Sequence, residues 1–161
     1  MASFHTKTFS SNDNYMTPKS AWENIQEYIP KDKVIWEPFY GDGKSGEYLE
    51  EIGFNVIHKD IDFFSNNEGD IIVSNPPFTM KKEILTRLKN LDKPFILIMP
   101  QNTINNNYIR EQYKQQLQII IPRKRIHFLK HGEDNIVKKC NFDCFYYCYK
   151  MNLKNDIVFL D

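Results

Sequence analysis

The sequence predicts an α/β fold built on one doubly wound, mostly parallel sheet. Three observations carry this. Short apolar runs at Val34-Ile35-Trp36, Val56-Ile57, Ile71-Ile72-Val73 and Phe95-Ile96-Leu97-Ile98-Met99 have the length and composition of buried strands. Between them, Tyr48, Leu49 and Ile52, and then Ile84, Leu85, Leu88 and Leu91, fall at helical spacing. Strands that alternate with helices in this way form sheets covered on both faces.

At 161 residues the chain is one domain with room for a core. Residues 1–14 are polar, with Ser10-Ser11-Asn12-Asp13-Asn14, and read as a mobile arm. Residues 15–161 read as the folded domain. The formal net charge is zero, so bulk charge does not point to nucleic acid. No apolar run is long enough for a membrane span, and the first residues lack the apolar core of a secretory signal. An intracellular protein, cytoplasmic or nuclear, is expected. The count of three cysteines is odd and suits a reducing compartment better than a disulfide framework. Cys140, Cys144 and Cys148 contain no Cys-x-x-Cys pair and have only His131 nearby, so they read as small buried thiols and no metal site is expected.

The elements follow in order. In Tyr15-Met16-Thr17-Pro18, Thr17 can cap a helix and Pro18 fits its first turn. Ala21, Trp22, Ile25 and Ile29 then mark an amphipathic helix that stops at Pro30. After the first sheet strand comes Glu37-Pro38-Phe39-Tyr40-Gly41-Asp42-Gly43-Lys44-Ser45-Gly46. Gly41-x-Gly43-x-x-Gly46 between a strand and a helix is a dinucleotide-type fingerprint, because glycines let the backbone turn tightly and approach a ligand. A phosphate-binding P-loop is excluded, since it needs glycine where Pro38 stands. The next strand, Asn55 to His58, delivers Asp60 about 20 residues after Gly41, the spacing at which an acid meets ribose hydroxyls. Only a polar loop separates Asp60-Ile61-Asp62-Phe63-Phe64 from Asp70, so a third strand and its helix are shortened or missing.

Asp70-Ile71-Ile72-Val73-Ser74-Asn75-Pro76-Pro77-Phe78 begins as a buried strand and ends as a rigid polar corner. The prolines end the ladder, since neither can donate a backbone hydrogen bond. Asn75 and the Pro76 carbonyl can both accept from an exocyclic amine, and Phe78 can stack on the ring that bears it. A helix is predicted over residues 81–91, a strand over 94–100, a short polar helix over 104–113 and a strand over 117–122 that continues through 123–129. The last long strand is predicted over 141–150. Arg123-Lys124-Arg125, with His127, Lys130, His131, Lys138 and Lys139, forms a basic stretch beside aromatics, interrupted by Glu133 and Asp134. It reads either as a solvated loop or as a contact for phosphates.

Over about residues 15–150 this combination resembles the Rossmann-type S-adenosylmethionine-dependent amino-methyltransferases, most closely the N6-adenine enzymes. The resemblance implies a class I methyltransferase-like sheet with an antiparallel strand near the C-terminus. It implies S-adenosylmethionine as cofactor. Tyr15, Thr17 and Pro18 would then touch its methionine end. The acid of Glu37-Pro38-Phe39 would face its positive charge, Gly41 and Gly43 would form the turn beneath it, and Asp60, Ile61 and Phe63 would hold ribose and adenine. Asn75, Pro76, Pro77 and Phe78 would be the catalytic motif. Arg123, Lys124 and Arg125 would bind the nucleic acid, DNA or RNA, since an Arg-Ile-x-Phe strand also occurs late in phage-type members. The short chain leaves little room for target recognition, which a partner subunit could supply.

The same motif serves protein glutamine and the amino groups of other bases. A methyltransferase fold can also act as a non-catalytic nucleic-acid-binding subunit. An NAD-dependent oxidoreductase would explain Gly41 to Asp60 but not Asn75 to Phe78. A simple nucleic-acid-binding module would leave both motifs idle.

Overall fold

The computed structural model describes residues 15–130 and 142–161. The arm at 1–14 lies outside the described residues. So do Cys140 and, from the basic stretch, His131, Glu133, Asp134, Lys138 and Lys139.

The chain starts with β1 (Tyr15–Met16), α1 (Lys19–Glu23), β2 (Val34–Trp36), α2 (Lys44–Ile52) and β3 (Asn55–Ile57). It continues through β4 (Ile71–Ser74), α3 (Lys81–Leu91), β5 (Phe95–Pro100), α4 (Asn107–Tyr113) and β6 (Leu117–Ile121). β7 (Leu129–Lys130), β8 (Cys144–Tyr149) and β9 (Ile157–Phe159) complete it. The main sheet has seven strands in the order β3-β2-β4-β5-β8-β6-β9. Only β8 runs against its neighbours, pairing antiparallel with β5 and β6, while the other pairings are parallel. This is the doubly wound, mostly parallel, Rossmann-like α/β fold that the sequence predicts, including the reversed strand near the C-terminus.

Period-two alternation divides the core between the faces. Ile35, Ile71, Val73, Ile96 and Ile98 share one cluster with Trp22 of α1 and Leu49 of α2. Trp36, Ile72, Phe95, Leu97 and Met99 share the other with Ile84, Leu85 and Leu88 of α3 and Ile109 and Tyr113 of α4. β4 is buried at every residue, which is why its sequence is an unbroken apolar run ending in serine. Leu88 carries no exposed surface, and truncating it to Ala costs about 2–5 kcal/mol.

Four local expectations are revised. The first helix is a single short turn, α1, followed by a 3-10 turn at Gln26–Tyr28. Its N-cap is Pro18, with no side-chain cap, so Thr17 does not cap it. Residues 123–129 do not extend β6, because Pro122 ends the ladder; Leu129–Lys130 pairs instead with Tyr15–Met16 as a separate antiparallel ribbon. The strand predicted over 141–150 begins at Cys144, and β9 was not anticipated.

The shortened third-strand region is observed: β3 is a sheet edge, and only a 3-10 turn at Phe63–Ser65 lies between it and β4. Asp62 holds that turn, accepting from the Phe64 amide at 3.3 Å and the Ser65 hydroxyl at 2.5 Å. Cys144 and Cys148 are buried thiols on one face of β8. No helix among the described residues is long and apolar enough to cross a membrane, and no group of three His, Cys, Asp or Glu there could hold a metal ion.

Candidate active site

From β2 the chain steps outward to β3, and from β4 it steps the other way to β5. The crevice beyond the carboxyl ends of β2 and β4 is therefore the topological switch point, where such sheets bind ligands. Glu37 leaves β2 there, and Ser74-Asn75 leaves β4 beside it. Glu37 is 2% exposed. Its Oε1 accepts the Phe39 amide at 2.8 Å and the Ser74 hydroxyl at 2.8 Å. Burial pushes this carboxyl up to about 8, against the downward pull of those donors. Asn75 comes next in the chain. Its Oδ1 is buried and makes no hydrogen bond among the described residues. Buried acceptors are nearly always paired, so an orphan at a ligand crevice calls for a donor. Pro76 and Pro77 are buried and hold the corner, and Phe78 opens a 3-10 turn through Met80.

The glycine turn lies alongside. Gly41 and Gly43 take φ of 59° and 81°, in the left-handed region, and Gly43 caps α2. The Gly43 amide bonds to the Tyr40 carbonyl at 2.7 Å, and Asp42 accepts the Lys44 amide at 3.0 Å. A Cβ at Gly43 would stand 2.8 Å from the Tyr40 hydroxyl, and one at Gly46 would stand 2.2 Å from the His58 ring. These two glycines thus make room for two rings, which lie nearly parallel with centroids 6.3 Å apart. His58 Nε2 meets Glu50 Oε1 at 2.5 Å, while His58 Nδ1 is buried without a partner among the described residues.

On the other side, β1 and β7 pair Met16 with Leu129, which carries Thr17 toward Phe128. Thr17 is 2% exposed, and its hydroxyl is also buried without a partner among the described residues. α1 fixes this segment: the Trp22 indole donates to Ser45 at 3.3 Å, and the Tyr146 hydroxyl donates to the Ala21 carbonyl at 2.6 Å. Phe128 and Phe142 meet Phe78 edge-on, at 6.4 and 5.7 Å between centroids. Phe78 is thereby held in an aromatic cluster next to Asn75.

Thr17, Glu37, Pro38, Phe39, Gly41, Gly43 and the Asn75-to-Phe78 corner are thus gathered around one end of the sheet. Tyr15 contributes its backbone to the ribbon. Asp60 is exposed and Ile61 half-buried on the turn after β3. Phe63 is different: it is fully buried against Phe39 and Trp36, at 4.9 and 5.7 Å, with the Arg87 guanidinium over its ring. Pro18, Arg123, Lys124 and Arg125 line a separate cleft of about 610 Å³ beside α1, floored by Ala21, Tyr28 and Tyr146. Arg125 is engaged there by both carboxylate oxygens of Asp143, at 2.9 and 3.1 Å. Sequence reasoning did not single out Tyr40, His58, Ser74 or Phe142. Only Ser74, which directly precedes Asn75, carried a positional signal.

No protein-family model matches the chain, and neither does any curated protein. Among solved structures the chain is similar to a methyltransferase from Pyrococcus furiosus, at 15% identity over 88% of each chain with a TM-score of 0.42.

Proposed function

We propose that the protein is an S-adenosylmethionine-dependent methyltransferase that acts on an exocyclic amine, N6 of adenine in DNA or RNA. The orphaned Asn75 Oδ1 carries this reading. It is an acceptor without a donor among the described residues, at the switch point, three residues before the Phe78 ring. The residues present fit the cofactor: a buried acid at Glu37, the positive-φ turn at Gly41 and Gly43, and an unpartnered Thr17 hydroxyl lie around that crevice. Thr17, Glu37 and the glycine turn would hold its methionine end, and Asp60 its ribose. When bound, the cofactor supplies an electrophilic methyl group.

The protein's own contribution is to the amine. An adenine amino nitrogen is a poor nucleophile, because its lone pair is delocalised into the ring. Asn75 Oδ1 and the Pro76 carbonyl accept its two N–H groups, which favours the tetrahedral nitrogen that methylation requires. Fixed dipoles of this kind are a large catalytic term. Phe78, held by Phe128 and Phe142, keeps the base in line. A duplex adenine must be flipped out to reach the corner. Arg123 and Lys124 are exposed and offer cations to phosphates, while Arg125 is tied to Asp143.

Calorimetric titration with S-adenosylmethionine, followed by labelled-methyl transfer to DNA, RNA and protein pools, tests the proposal. Saturable binding that Asp60→Ala weakens, with label entering adenine, is expected. Label entering glutamine would reassign the amine. A folded chain without affinity for the cofactor would overturn the reading.

A further inference from the structure

Ser74 has no exposed surface and stands between two parts of the site. Its hydroxyl and the Phe39 amide share Glu37 Oε1, each at 2.8 Å. Phe39 enters the glycine turn, and Ser74 is covalently joined to Asn75. One carboxyl oxygen therefore links the turn that would receive a cation to the corner that would receive an amine. We propose that Ser74 is a positioning residue that, through Glu37, makes the setting of Asn75 respond to a cation bound at the glycine turn. This rests on the S-adenosylmethionine reading above and adds a coupling between its two subsites.

The physics is a proton balance. With its carboxyl pushed up to about 8, Glu37 is mostly protonated in the free protein at neutral pH. The groups that set this balance are burial, the Ser74 hydroxyl from β4 and the Phe39 amide from its own turn; no charged side chain enters it. The titratable groups on the flanking turns are Tyr40 and Asp42 after β2 and His58, Lys59, Asp60 and Asp62 after β3, and His58 faces Glu50. A cation placed beside Glu37 favours the carboxylate, and the proton leaves to solvent. No other bond forms or breaks. Hydrogen bonds to an ionised acceptor are roughly twice as strong as neutral ones, so the Ser74 and Phe39 donors tighten together. Asn75 is then held more firmly when the cofactor is in place.

The test is calorimetry of the full chain with S-adenosylmethionine between pH 6 and 9, in buffers of different ionisation enthalpy. Release of close to one proton per site is expected below pH 7, with affinity rising by up to about tenfold per pH unit and levelling above the Glu37 value. Glu37→Gln should release none and show a flat profile. Ser74→Ala should still bind and release its proton, move the bend to higher pH with weaker binding below it, and lower kcat even at saturating cofactor. Wild-type binding without proton release, or a Ser74→Ala profile and kcat like the wild type, would overturn the coupling and leave the methyltransferase reading standing. Absence of binding at every pH would overturn both. The wild-type proton count needs no variant to fold.

Discussion

Lys93 and Asn75, at opposite ends of the sheet, use their buried polar atoms in opposite ways. At the amino end of β4 and β5, Lys93 is 7% exposed, and its ammonium is fully used. It donates to Asn67 Oδ1 at 2.8 Å, the Glu68 carbonyl at 2.9 Å and the Gly69 carbonyl at 2.6 Å. An ammonium has three donors, and here each has an acceptor. At the carboxyl end, Thr17 Oγ1, His58 Nδ1 and Asn75 Oδ1 are buried without partners; the other such atoms among the described residues are on Trp36 and Glu68. Both ends are buried and polar, so burial does not distinguish them. What separates Lys93 from Asn75 is whether the hydrogen-bonding capacity is spent; Glu68 Oε2, beside Lys93, is an exception at the amino end.

That comparison can be broken by substitution. Asn75→Ala should lower methyl transfer by about 10²–10³-fold, the scale for losing one preorganised acceptor or donor. Its thermal unfolding should stay at the wild-type temperature, because Oδ1 has no hydrogen-bond partner among the described residues. A large loss of stability would mean that Asn75 is structural. Lys93→Met should do the reverse. It strands buried carbonyls and should cost about 1–3 kcal/mol in denaturant unfolding, with cofactor affinity unchanged.

Stability should also depend on pH. Glu37 is raised from 4.5 to about 8 on folding, so between those values the folded chain holds a proton that the unfolded chain has lost. Its contribution therefore makes stability fall as pH rises through that window. Thermal melts at pH 5 and 8 should show this fall, and Glu37→Gln should remove its share. The smallest effect is expected at Arg125 and Asp143, which are 40% and 44% exposed. Arg125→Ala should cost under about 1 kcal/mol despite the bidentate geometry.

The sequence was most legible where one physical signal dominated. The apolar stripe of Ile84, Leu85, Leu88 and Leu91 places α3 at Lys81–Leu91, as observed. β4 and its proline corner were legible because an apolar run and two prolines leave little choice. Where signals compete, the reading slipped. Ile126 and Phe128 are buried and Arg125 and His127 exposed, so the alternation over 125–128 is present, yet β6 does not continue beyond Pro122. β9 escaped because it is short and Ile157 and Phe159 face solvent, at 58% and 73% exposed, so no buried face announces it. At the site, Asn75 and Glu37 stand out as residue types in a motif. The Glu37–Ser74 bond does not, since it joins neighbouring strands that are far apart in the chain. Phe63 shows the converse, an aromatic at a suggestive position that the core claims.

β8 has a consequence for how the protein comes into being. β5 and β6 are not neighbours in the sheet; β8, which is made after both, lies between them and pairs with each. A nascent chain that has reached β6 therefore carries two open strand edges in what will become the middle of its sheet. Such edges are templates for pairing with other chains. The ribosome must deliver Cys144–Tyr149 before the two parts of the sheet can join, so closure of the sheet waits for this late strand.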